Sequence, residues 1–301
     1  MSASPHFLTL TGNLLCERTL DFAGWSPGKT QRATGESFQV GGKGINVSKM
    51  LHRLGAPTAA WCFTGGATGT ECDAWLHRQG FAHRAFASRH ATRIGLVVRG
   101  GGHPETTFLG PDAPHDTAAV RACADALEAQ PAGQVLAICG SIPGWVSPDF
   151  EPLRDALRRW LQRGVLAADS YGPPLAWLVA QPLALVKINA AELRTLFPDY
   201  PPSAGTPALL AAATRRWPVQ RWIVTDGAGP VWYCEGGVQP ASLQPPAVRE
   251  VSATGSGDVL FACVLDAFFR RGLAMRDAVS RALPYAAANA ADPGIAEFPD
   301  P

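Results

Sequence analysis

An acid among small residues opens an almost wholly apolar helix near the carboxyl end of this 301-residue chain. In VSATGSGDVLFACVL (251–265), Gly255, Ser256, Gly257 and Asp258 stand just before Val259, Leu260, Phe261, Val264, Leu265, Phe268 and Phe269, a stripe wide enough to bury the helix. The unpaired N–H groups of a helix start carry about half a positive charge, and small residues let an anion's oxygens reach them. That mouth suits a phosphate. An acid that merely stabilises its own first turn would leave the same pattern. A second cluster, VGGKGINVSKMLHRLG (40–55), also heads a helix. There Gly41, Gly42 and Gly44 allow close backbone approach, Asn46 offers an amide and Lys43 a positive charge. Two such helix starts, more than 200 residues apart, suit two ligands meeting between them, and a phosphoryl donor and its acceptor form such a pair.

The elements that would position these residues follow from hydrophobic periodicity. AAWCF, VLAIC, VLAAD, LALVKI and RWIVTD are short apolar runs, each followed by a turn signal and a helical period. This alternation predicts a parallel sheet with helices on both faces. Val47, Met50, Leu51 and Leu54 form the stripe that should face the sheet. Residues 12–39 and about 92–110 read instead as short, partly polar strands with Gly and Pro turns, predicting a small β-sheet lid. PDYPPSAGTP reads as a surface loop in which Pro198, Pro201, Pro202 and Pro207 forbid regular structure.

Composition bounds the function. Hydrophobic residues make up 47% and charged residues 17%, a globular balance, and 26 Lys and Arg against 25 Asp and Glu give no footprint for nucleic acid or a membrane surface. The amino-terminal stretch MSASPHFLTLTGN has neither the basic nor the apolar region of a signal peptide, and no run of about 18 apolar residues occurs, so a cytoplasmic protein is expected. The seven cysteines include no C-x-x-C pair, which predicts reduced, buried thiols and no zinc site.

Taken together, GGKGIN and GSGD resemble the two signature regions of the PfkB/ribokinase family of sugar kinases. TGNLLCERT, GSIPGW, VKINAAEL and VTDGAG resemble further family segments along nearly the whole chain, and Thr92-Arg93, PETTFLGP and SAT are most similar to its phosphofructokinase branch. The resemblance implies a ribokinase-like three-layer α/β/α doubly wound fold spanning residues 1–301 as one domain, lid included. It implies that Asp258 is the catalytic base, that the amides of Gly255, Ser256 and Gly257 form the anion hole, and that Asn189 and Glu192 organise Mg²⁺. Lys187, Thr225 and Gly227 would flank ATP. Gly41, Gly42 and Asn46 would hold sugar hydroxyls, while Arg93, Ser141 and, as further candidates, Lys43, Lys29 and Arg32 would hold a phosphate already on the substrate. Glu17 stands where the family carries a sugar-binding Asp, one methylene longer, and Thr107 where it carries an Asn. The expected activity is transfer of phosphate from ATP to a hydroxyl of a small sugar phosphate, such as a ketohexose phosphate. The alternatives are a kinase of an unphosphorylated sugar, polyol or nucleoside, and a catalytically idle sugar-phosphate or nucleotide sensor. Lid strands with exposed edges predict pairing of two lids in a homodimer.

Overall fold

Apolar runs with alternating Val, Leu, Ile and Ala become strands here because both of their faces are covered. The computed structural model describes residues 7–301; residues 1–6 of the stretch read for a signal peptide lie outside the described residues. In chain order come β1 (Phe7–Thr11), β2 (Leu15–Phe22), β3 (Gly35–Gly41), α1 (Lys43–Arg53), β4 (Thr58–Thr64), α2 (Gly66–Arg78), β5 (His83–Ala87), β6 (Arg93–Gly100), β7 (His103–Leu109) and α3 (Thr117–Glu128). There follow β8 (Val135–Gly140), α4 (Glu151–Trp160), β9 (Val165–Ser170), α5 (Pro173–Val179), β10 (Leu185–Asn189), α6 (Ala190–Thr195), α7 (Thr206–Arg216), β11 (Arg221–Thr225), β12 (Val231–Glu235), β13 (Ala241–Leu243), α8 (Ser256–Leu265) and α9 (Met275–Ala290).

Nine strands form the main sheet in the order β13-β12-β11-β10-β9-β8-β1-β4-β5. From β5 to β11 every neighbour is parallel. At one edge the parallel sheet is extended by β12 and β13, which run antiparallel. Alternation along β8 shows how the layers are made. Leu136 and Ile138 enter one core with Val120, Leu127, Leu153, Leu157 and Leu175 of α3, α4 and α5. Val135, Ala137 and Cys139 enter the other with Val47, Met50, Val264 and Val279 of α1, α8 and α9. Full burial of a Leu or Val side chain contributes about 1.5–3 kcal/mol, so these two layers carry the fold.

The chain leaves β1 for β4 on one side and later returns to β8 on the other. This reversal is a topological switch point, and the crevice beyond the strand ends there is where open α/β sheets bind ligands. Over it lies a separate four-stranded sheet in the order β3-β2-β6-β7, the lid expected from residues 12–39 and 92–110. One expectation fails locally. Pro207 lies within the first turn of α7, not in a loop, because proline's missing N–H is no loss where a helix start has no acceptor for it.

Candidate active site

The start of α8 is open by construction. Gly255 is its N-cap at φ +79°, a left-handed conformation that suits glycine, and no side chain caps the amides that follow. Asp258, the third residue of α8, is buried at 5% exposure. Its Oδ2 accepts a 2.7 Å hydrogen bond from Nδ2 of Asn46 on α1, so the two glycine-headed helices meet through these side chains. Close approach at the head of α1 needs Gly44, where a Cβ would stand 2.4 Å from Thr11 Oγ1 at the end of β1.

Beside this pair lies a buried ion cluster. Asp169, the last acid of β9 and wholly buried, accepts from Lys43 Nζ at 2.7 Å and from Lys187 Nζ at 2.9 Å. Lys187 Nζ also lies over Gly257, where a Cβ would be only 2.5 Å away. The ammonium and the first turn of α8 therefore face the same space. Glu192 Oε1 is 3.6 Å from Lys43 Nζ. Burial pushes the Asp258 carboxyl up to about 6, with Asp169 adding to the rise and Lys43, Lys187 and Asn46 opposing it. Burial also works against ionised Asp169, yet its two lysines overcome that and hold it below the ordinary carboxylate range. Burial opposes the charge on Lys43 too, and Asp169, Asp258 and Glu192 reverse the effect, raising its pKa.

Asn189 and Glu192 form a capping box on α6. Asn189 Oδ1 accepts from the Glu192 amide at 2.8 Å, and Glu192 Oε2 accepts from the Asn189 amide at 2.9 Å. The N-x-x-E spacing thus has a structural cause, while Glu192 Oε1 still faces Lys43. Thr225 pairs with Asn189 at the end of the neighbouring strand, and Gly227, at φ +54° with open space around it, lies on the exposed rim beyond.

A second group of residues lies under the lid. Glu17 on β2 is 6% exposed and accepts from Gln39 Nε2. A Cβ at Gly41 would be 3.3 Å from Glu17 Oε2, so the longer acid still reaches the first glycine cluster. Burial raises the Glu17 carboxyl, with the Gln39 hydrogen bond opposing and Glu105 adding to it. Asn13 Nδ2 donates to Ser141 Oγ at 3.0 Å and to Asp112 Oδ1 at 2.8 Å, Tyr171 Oη donates to Ser141 Oγ at 3.1 Å, and Arg93 Nη1 pairs with Asp112 at 3.0 Å. Lys43, expected with the acceptor phosphate, stands between the two groups, its Nζ 5.8 Å from the Tyr171 ring centre. Lys29 and Arg32 are exposed in the β2–β3 loop, and no ion pair or hydrogen bond among the described residues brings them to the site.

Sequence reasoning missed Asp169, Asn13, Gln39, Asp112 and Tyr171. Asp169 carried a signal: an acid closes the apolar strand VLAAD, a position that becomes costly unless something pairs with it.

A switch-point crevice with an anion-accepting helix start, two lysines and a buried acid near pH 6 defines a phosphoryl-transferring α/β enzyme. The comparisons agree with that class. Residues 13–301 match the family model described as pfkB family carbohydrate kinase. The chain belongs to this family, whose members pass a phosphoryl group from ATP to a carbohydrate hydroxyl. It is 25% identical over 270 residues to the 1-phosphofructokinase of Borreliella burgdorferi, covering 89% of this chain and 86% of that one. Over 285 residues it is 27% identical to the 1-phosphofructokinase of Escherichia coli K12, covering 90% and 86%. The fold superposes on Escherichia coli phosphofructokinase-2 in complex with fructose-6-phosphate with a TM-score of 0.84 at 22% identity, covering 95% of this chain and 94% of that one. No helix among the described residues is long and apolar enough to cross a membrane.

Proposed function

We propose that this carbohydrate kinase phosphorylates a hydroxyl of a ketohexose phosphate, with both sheets serving one catalytic unit. The observation that carries the reading is Asp258, buried at the mouth of α8, hydrogen-bonded to Asn46 and beside both lysines. Asp258 takes the proton of the acceptor hydroxyl as its oxygen bonds to the γ-phosphorus of ATP. The bond from that phosphorus to the β–γ bridging oxygen breaks, and ADP leaves. Such a transition state is loose, so positioning and charge stabilisation supply most of the rate. Amides of Gly255, Ser256 and Gly257, with Lys187 above them, take up the charge on the transferred group, at about 3–4 kcal/mol for a donor of this kind. Glu17 and Asn46 orient acceptor hydroxyls, and Arg93 with Ser141 holds the acceptor's own phosphate, for which a guanidinium fork is suited.

Magnesium fits the donor set in one manner. Among the described residues no group of three or more His, Cys, Asp or Glu could cage an ion, and Mg²⁺ commonly keeps waters and leans on substrate phosphates. Glu192 and Asn189 would hold its waters, and the ion would supply positive charge to the nucleotide phosphates. We place the enzyme in the cytoplasm, in line with the reduced cysteines among the described residues. Ile94 and Phe108, exposed at 53% and 54%, lie on one face of the lid with Leu96 between them, which supports a homodimer through that face.

An ADP-release assay over a panel of sugar phosphates, sugars and nucleosides with Mg²⁺ tests the reading. Turnover with a ketohexose phosphate is expected. Turnover only with unphosphorylated acceptors would move the function to the first alternative, and saturable binding without transfer would make the protein a sensor.

A further inference from the structure

The subsite that would receive the acceptor's phosphate already contains a carboxylate. Asp112 Oδ1 takes hydrogen bonds from both Arg93 Nη1, at 3.0 Å, and Asn13 Nδ2, at 2.8 Å. Asn13 Nδ2 also donates to the Ser141 hydroxyl at 3.0 Å, which ties this carboxylate to the rest of the subsite. The guanidinium side chain is mostly buried, at 13% exposure, whereas Asp112 is 52% exposed. The acid thus closes the subsite from its solvent side. The rest of the Arg93 fork is poorly used: Nη2 has only a 3.5 Å contact to the Asn13 carbonyl, and Nε is buried with no partner. A buried guanidinium N–H without an acceptor is costly, and an anion with more oxygens than one carboxylate would repair it.

Asp112 belongs to the segment that joins the lid to α3. That segment is fixed at both ends, by the Gly110 amide on the Ile94 carbonyl at 2.8 Å and by Asp116 capping α3. Between these anchors Asp112 makes no other ion pair or hydrogen bond among the described residues, so rotation of its side chain alone would vacate the subsite.

Building on the sugar-phosphate reading, we propose that Asp112 is a specificity-determining residue: an internal placeholder for the acceptor's phosphate, which a phosphate-bearing substrate must displace and a neutral one need not. A phosphate approaching Arg93 meets Asp112 as a like charge, whereas a terminal hydroxyl can donate to it. The residue therefore narrows discrimination in favour of phosphate, because it sets a like charge against an incoming phosphate and an acceptor before an incoming hydroxyl.

The test compares wild type with Asp112→Asn and Asp112→Ala, with Arg93→Ala as a control. Circular dichroism first confirms that each variant is folded. Steady-state kinetics with fructose 6-phosphate, fructose 1-phosphate and fructose, and calorimetric titration with inorganic phosphate and with fructose 6-phosphate, supply the readouts. Removing the acid should raise kcat/KM for the phosphorylated acceptor roughly tenfold relative to that for fructose and tighten phosphate binding by a similar factor. Arg93→Ala should move both the other way. A general packing role would lower both values, so the direction separates the two explanations. Unchanged or weaker phosphate binding in both Asp112 variants overturns the proposal, as does failure of phosphate and fructose 6-phosphate to bind any form. If wild type binds these anions without transferring phosphate to them, the sugar-phosphate reading fails while tighter binding by the Asp112 variants still upholds the placeholder.

Discussion

Replacing Asp258 by Asn should cripple turnover and, at the same time, stabilise the fold. Burial carries this carboxyl from its ordinary 3.8 to about 6, and at 1.36 kcal/mol for each tenfold change in proton affinity that costs the ionised, folded state ~3 kcal/mol. The sign follows from linkage. Between pH 4 and 6 the folded chain holds this proton more tightly than the unfolded chain does, so stability falls as pH rises through that window and the full cost is present above it. Asn mimics the neutral acid and keeps an oxygen for Asn46. Asp258→Asn should therefore melt roughly 5 °C above wild type at pH 8, and the gap should close near pH 4. Turnover should drop by about 10²–10⁴, the range associated with a general base. In wild type, kcat/KM should decline about tenfold per pH unit below pH 6. Scanning calorimetry at the two pH values and ADP release at saturating substrates read both effects. A variant keeping more than about a tenth of wild-type turnover would refute the base assignment, and a melting gap equal at both pH values would refute the burial argument.

Asp169→Asn removes the acid between Lys43 and Lys187 and should cost about 3–5 kcal/mol in urea unfolding at pH 7. Because its native pKa lies below 3.8, the loss should shrink as pH falls below that value. Gly257→Ala sets a methyl 2.5 Å from the present position of Lys187 Nζ, so the ammonium must move off the helix mouth; kcat/KM for ATP should fall roughly tenfold or more with little change in melting temperature. Glu105 on β7 accepts from Ser252 Oγ at 3.2 Å, Thr254 Oγ1 at 3.3 Å and Arg99 Nε at 2.6 Å, linking the lid to the loop before α8. Glu105→Ala should loosen that closure, raising the KM of the acceptor several-fold or about that and increasing ADP release in its absence, as water enters.

Strands legible in the sequence were those with a continuous apolar run, because burial on both faces leaves no polar position to mislead. β1 was not, since its Thr9 and Thr11 break the run; both are buried, and Thr9 is satisfied by Ser48 Oγ at 2.8 Å on α1. β5, HRAFA, is polar because it forms the edge of the sheet. In the site, the glycines and Asp258 were legible because helix starts constrain small residues locally. Asp112, Asn13 and Tyr171 were not, because their roles arise from contacts between distant segments such as Asn13 and Ser141, which no local pattern encodes.

Asp169 shows why such an unannounced residue matters to the chemistry. Two lysines beside Asp258, with nothing to offset them, would lower its pKa and leave a weak base; burial and the negative charge of Asp169 push the other way. The balance near 6 leaves Asp258 ionised at neutral pH while keeping it more basic than an exposed aspartate, the compromise that general-base catalysis rewards. Asp169 thus orders both lysines and helps set the strength of the base. On this account Asp169→Asn should shift the acid limb of the pH–rate profile to lower pH, a displacement that a purely structural salt bridge remote from Asp258 would not produce.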